Sequence, residues 1–292
     1  MTVDHDGGSS GNTPFKRRAV LGGAIGAAGA AALGWGGYEL LNKPENSTAA
    51  QASEPPPLSG STDGRKLEIA ILVAPGYWPV DIVSAYTAFG MMPGVNTHLV
   101  WKNTDEVVIG VPTFPTRPTT SYEDCPRDLD VLYAGATSST NFEDTRTLEF
   151  LADRGARARW IAGSCTGPLL LGAAGLFKGY RATANFQAVH LLPYVGAIHS
   201  PGNVVEDRNR ITAGPATGGF EIAVRLIQIL YGDEAAREAI LQAEYAPTPL
   251  FNVGTPELAG PELTARTKAR TAPMIGSLQE VMKRVATRLQ VS

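Results

Sequence analysis

From residue 67 the chain falls into a repeating pattern: a short apolar run, a loop carrying glycine or proline, then a stretch whose apolar positions recur at helical spacing. Leu67-Glu68-Ile69-Ala70-Ile71-Leu72-Val73, closed by Pro75-Gly76, is short and β-branched, and predicts a strand buried on both faces. Residues 97–101, 130–133 and 159–162 repeat that signature, and 81–89 and 144–154 carry a helical period between them. Strands alternating with helices predict an α/β fold, a mostly parallel sheet covered on both faces. Residues 204–212 predict a hairpin around a polar turn. Helices follow over 220–230 and 234–243, and one more over 277–289, beyond what the core requires.

The first 65 residues lack this pattern. Phe15-Lys16-Arg17-Arg18 precedes an uncharged run over 19–38, seven of whose twenty residues are glycine. Paired arginines before a weakly apolar Gly/Ala segment predict a twin-arginine export signal over 1–52, with Ala50-Gln51-Ala52 as a small-x-small cleavage site. The alternative is an uncleaved anchor, because twenty uncharged residues can span a bilayer. Either places the protein on the periplasmic or another extracytoplasmic side, and this segment is its one predicted contact with a membrane. Residues 53–65, rich in Pro, Ser and Gly, read as a flexible linker. That leaves one α/β domain over 66–262 and a helical extension over 263–292. A net charge of -3 with scattered Lys and Arg argues against a nucleic-acid partner. Two cysteines and four histidines without metal-ligand spacing predict neither a disulfide framework nor a metal site.

In such sheets ligands bind at the carboxyl ends of the strands, so the chemistry should lie in the loops that follow them. Three such loops are prominent: 74–81, 134–137 and Gly163-Ser164-Cys165-Thr166-Gly167. The last sets one thiol between small residues, directly after a strand and before a helical run, which is the layout of a nucleophile elbow. The helix behind it would aim N–H groups at the sulfur and lower the Cys165 pKa. Cys125, in Glu123-Asp124-Cys125-Pro126, has no such flanks and reads as structural. Asp81 reads either as an acid or as the N-cap of the helix that follows it.

Cys165-Thr166-Gly167, followed by Leu171-Gly172-Ala173-Ala174-Gly175-Leu176-Phe177-Lys178-Gly179-Tyr180-Arg181-Ala182-Thr183, resembles the ThiJ/PfpI family of the class I glutamine amidotransferase-like superfamily, and within it the isonitrile hydratase branch. Pro75-Gly76 with Asp81, Asn209-Arg210-Ile211-Thr212, and Glu244-Tyr245 leading to Pro256-Glu257 extend the likeness over 66–262. The resemblance implies a flavodoxin-like three-layer sandwich, homodimeric and without a cofactor, that hydrates a small isonitrile to an N-substituted formamide. It implies Cys165 as nucleophile, Asp81 as acid and Thr166 as a helper through its hydroxyl and N–H. Gly76, Gly135, Ala136, Gly167 and Asn185 would shape the substrate pocket. The chain departs from the family at Asn185, where relatives often carry histidine, and at Ala136, where paired glycines are usual. Alternatives are another cysteine reaction of this fold, such as glyoxal hydration or amide hydrolysis, and an exported binding or stress protein without turnover.

Overall fold

The computed structural model describes residues 65–291. The predicted export signal or anchor and all but the last residue of the predicted linker lie outside the described residues. That last residue, Arg65, grips Asp130 with two hydrogen bonds of 2.7 Å.

In chain order the elements are β1 (Leu67–Leu72), α1 (Pro79–Gly90), β2 (Val95–Trp101), β3 (Val108–Gly110), β4 (Phe114–Thr116), β5 (Thr120–Ser121), β6 (Val131–Ala134), α2 (Thr145–Arg157), β7 (Trp160–Ser164), α3 (Gly167–Ala173), β8 (Arg181–Ala182), β9 (Ile198–His199), β10 (Val204–Asp207), β11 (Arg210–Ala213), α4 (Gly218–Tyr231), α5 (Asp233–Gln242) and α6 (Pro256–Leu289). A seven-stranded sheet runs in the order β10-β11-β7-β6-β1-β2-β5. Its pairings are parallel except for the β10–β11 hairpin, where Val204 faces Ala213 and Asp207 faces Arg210. Strand β1 lies inside the sheet between β6 and β2, with Ile69, Ala70 and Ile71 fully buried, and each buried Ile or Leu removes enough apolar surface to contribute about 1.5–3 kcal/mol. From β1 the chain turns first toward β2 and later back to β6, so the order reverses between β1 and β6. That reversal opens a crevice at the strands' carboxyl ends.

Helix α2 starts where Asp144 accepts the Thr147 N–H at 2.8 Å and buries Leu148, Phe150 and Leu151. Helix α1 starts differently from the expectation. Trp78 is its N-cap residue and Pro79 opens the first turn, so Asp81 is already inside the helix and turned into the sheet. The capping role for Asp81 is therefore excluded.

The helix expected over 277–289 is the distal part of α6, which begins at Pro256 and is interrupted at Gly260, where φ is +73°. Leu278, Val281, Met282 and Val285 are buried in the main core, so this segment completes the core rather than appending to it. The 262/263 boundary falls inside this element. Among the described residues no helix is long and apolar enough to cross a membrane.

Candidate active site

Cys165 follows β7 with φ at +55°, a left-handed conformation that costs a non-glycine residue about 1–3 kcal/mol and persists only where surroundings impose it. Here the backbone is pinned on both sides: Cys165 N–H donates to Ala213 O, and Asn185 N–H donates to Cys165 O, both at 2.9 Å. Gly167 opens α3 because a Cβ there would sit 1.9 Å from the Ala134 carbonyl oxygen. The elbow therefore rests against the end of β6 with no room for a side chain.

Two groups reach the Cys165 sulfur, the Thr166 backbone N–H and the Asn185 side-chain amide. Both stabilise a thiolate, yet the thiol is pushed up to about 12, because burial dominates and the Asp81 carboxylate adds a like charge. The expectation of a lowered pKa is thus overturned. Two hydrogen bonds do not offset desolvation at a site 8 % exposed. Cys125 is likewise pushed up by burial, to about 11, and its carbonyl accepts from buried Arg154, which supports a structural role.

Asp81 is fully buried. Its Oδ1 is hydrogen-bonded to Ser164 Oγ at 2.6 Å, and its Oδ2 accepts the Ala136 N–H at 3.0 Å. Burial raises its pKa to about 6, against the lowering effect of those two hydrogen bonds. Ser164 Oγ also lies 2.7 Å from Tyr133 Oη, and the Tyr133 hydroxyl is 2.8 Å from the Asp81 backbone carbonyl. Gly135 permits this packing, since a Cβ there would stand 2.6 Å from Asp81 Cβ. Sequence reasoning passed over Ser164 and Tyr133. Ser164 was visible only as a small residue flanking the cysteine, and Tyr133 as one apolar position in a strand.

The predicted pocket residues divide. A cleft of about 670 Å³ is lined by Asn185, Phe186, Val189, Pro201, Pro215 and Glu257 among others. Asn185 both touches the sulfur and lines this cleft. Gly76, Gly135, Ala136 and Gly167 do not line it: Gly76 packs against Ser138, Gly135 against Asp81, and Gly167 against Ala134. The Ala136 N–H is spent on Asp81 rather than offered to a substrate. The Thr166 hydroxyl makes no capping bond at the start of α3. His199, not singled out in the sequence, also lines the cleft. Among the described residues no group of three or more His, Cys, Asp or Glu could hold a metal ion.

Comparison with known proteins bears on the family and the fold. The chain is 37% identical over 226 residues to an isonitrile hydratase of Pseudomonas putida, a match covering 77% of this chain and 99% of that protein. A crystal structure of a ThiJ/PfpI family protein from Pseudomonas syringae superposes with a TM-score of 0.72 at 33% identity, over 82% of this chain and 98% of that one. Drosophila melanogaster DJ-1beta shares the fold, with a TM-score of 0.55 at 20% identity over 62% of this chain and 100% of its own. Residues 67–229 match the DJ-1/PfpI family, and with that match and these relatives the chain belongs to the DJ-1/PfpI family.

Proposed function

We propose that the protein is a lyase that adds water to an isonitrile, giving an N-substituted formamide. The observation that carries this reading is the pairing of one elbow thiol, Cys165, with one buried acid, Asp81, whose pKa is raised to about 6. An isonitrile's terminal carbon accepts a nucleophile and then needs a proton. Cys165 Sγ forms the bond to that carbon as its S–H bond breaks, Asp81 supplies the proton that ends on the carbon, and the thiol's proton replaces the one Asp81 gave, leaving a thioimidate. Water adds to the same carbon, the nitrogen takes a proton, and the carbon–sulfur bond breaks, so that one isonitrile and one water give one formamide and the free thiol. The Thr166 N–H and the Asn185 amide hold sulfur's developing negative charge.

Asn185 donates a hydrogen bond but cannot take a proton at neutral pH, so nothing at that position serves as a general base. Amide hydrolysis needs such a base to raise the thiolate and to protonate the leaving amine, which weighs against that alternative. The apolar share of the cleft, with Phe186, Val189, Pro201 and Pro215, suits a hydrocarbon substituent on the isonitrile nitrogen.

The test is incubation of the purified protein with isonitriles of graded size, with formamide followed by mass spectrometry. Wild type should produce formamide and Cys165→Ser should not, because a serine hydroxyl has no base to activate it. Absence of formamide from wild type across the panel, or full activity of Cys165→Ser, would refute the proposal.

A further inference from the structure

Three short oxygen–oxygen contacts close a ring at Asp81. Its Oδ1 meets Ser164 Oγ at 2.6 Å, Ser164 Oγ meets Tyr133 Oη at 2.7 Å, and Tyr133 Oη meets the Asp81 carbonyl at 2.8 Å. Asp81, Ser164 and Tyr133 are all fully buried. Each contact needs one proton between its two oxygens, and the two hydroxyls supply only two.

With Asp81 ionised, the Ser164 hydroxyl turns to Oδ1 and the Tyr133 hydroxyl serves either Ser164 or the carbonyl. One pair of oxygens is then left facing each other at hydrogen-bond distance with no hydrogen between them, a costly arrangement in a buried site. With a proton on Oδ1 the ring closes in a single sense: Oδ1–H donates to Ser164 Oγ, Ser164 donates to Tyr133 Oη, and Tyr133 donates to the Asp81 carbonyl. The Ala136 N–H donates to Oδ2 in both states.

We propose that Ser164 and Tyr133 are positioning residues that bind the ring's third proton on Asp81 Oδ1, so that on the acid side of that group's titration Cys165 has a neutral acid beside it. This deepens the function proposed above and rests on that reading only for its kinetic arm. A neutral Asp81 removes the like charge that opposes a Cys165 thiolate. Once the proton is given up, the Ser164 hydroxyl turns back to donate to Oδ1, so the same three oxygens serve the ionised state of the catalytic cycle.

The titratable groups that face Asp81 are Cys165 from the elbow and Tyr133 from β6. Ser164 comes from β7, and α4 approaches with Gly219, where a Cβ would meet Tyr133 Oη and the Asp81 carbonyl. No cation among the described residues contributes to the balance at Asp81, whose pKa is raised to about 6 by burial.

The test is a carboxyl ¹³C NMR titration of the full-length protein, with the Asp81 resonance assigned by its loss in Asp81→Asn. Wild type should titrate near 6. Tyr133→Phe should lower that midpoint by about one pH unit or more, because the ionised carboxylate then takes the Ser164 hydroxyl with no orphaned contact. An ordinary carboxylate midpoint in wild type overturns the proposal. So does a folded Tyr133→Phe protein whose midpoint is unmoved.

Infrared spectroscopy covers the case in which Tyr133→Phe does not fold. The protonated-carboxyl band of Asp81 should lie at the lowered frequency of a donating acid and rise in Ser164→Ala. A band that does not move overturns the ring. In the kinetic arm, the pH profile of kcat/KM on an isonitrile should shift down with Tyr133→Phe. Expected NMR midpoints without isonitrile turnover would sink the hydratase reading and leave the ring standing, whereas turnover with an ordinary Asp81 midpoint would do the reverse.

Discussion

Asp81→Asn should separate stability from turnover, because asparagine reproduces the neutral acid and never ionises. Its Nδ2 can donate to Ser164 Oγ, and its side-chain oxygen can accept the Ala136 N–H. In wild type the pKa of Asp81 rises from 3.8 to about 6, so the folded value lies above the unfolded one. Stability from the neutral carboxyl is therefore fully present below pH 3.8 and is lost as pH climbs through about 6. A gap of about two pH units at 1.36 kcal/mol each makes that loss about 3 kcal/mol above neutrality. Asparagine avoids the loss. Urea unfolding near pH 7.5 should find the variant about 3 kcal/mol more stable than wild type, and near pH 4 the two should converge. Formamide production should fall about 10²–10⁴-fold at either pH with the acid gone. A stability difference that is the same at both pH values, or a variant less stable than wild type near neutrality, would refute the reasoning.

The same Asp81→Asn variant removes the like charge beside Cys165, so at neutral pH iodoacetamide should label Cys165 faster than in wild type while Cys125 is unaffected; equal Cys165 rates would contradict the coupling. Gly167→Ala places a methyl group 1.9 Å from the Ala134 carbonyl oxygen and should lower stability by about 1–3 kcal/mol or more, read as melting temperature; an unchanged melt would rule out so close an approach. If the Arg17-Arg18 pair directs export, lysine at both positions should leave the precursor in the cytoplasm, and unchanged export would remove that assignment.

The parallel sheet was legible because buried strands between helices leave a repeating apolar record, and β1, β2, β6 and β7 lie within a few residues of their expected positions. The elbow was legible because a strained turn after a strand demands small flanking residues. The short pieces were not: β3, β4, β8 and β9 have two or three residues each, too few for a period to show. Nor was the chemistry around the thiol. Spacing can place Cys165 at a helix start, but it cannot report that burial and Asp81 together outweigh the Thr166 N–H and the Asn185 amide. Ser164 and Tyr133 lie 31 residues apart and meet only because β6 and β7 are neighbours in the sheet. The reach of α6 upstream of residue 277 was not legible, because Gly260, Pro261 and Pro273 are residue types that ordinarily interrupt a helix, and at Gly260 the helix is in fact broken.

Helix α6 divides labour along its own length. Thr255, Pro256 and Glu257, at and just before its first turn, form part of the cleft wall. Its distal half is anchored by Leu278, Val281, Met282 and Val285, by Arg284 bound to Glu143, and by Arg288 donating to the Ala173 carbonyl at the end of α3. Gly260 lies between the two, where the helix is broken, so the wall and the shaft are separate helical segments. This part of the cleft wall sits about ninety residues downstream of the thiol and makes no hydrogen bond to the Asp81–Ser164–Tyr133 ring. Substitutions at 255–257 should accordingly move KM between isonitriles of different size while kcat holds. One reaction centre could then be refitted to new substrates by changes confined to the tail of the chain.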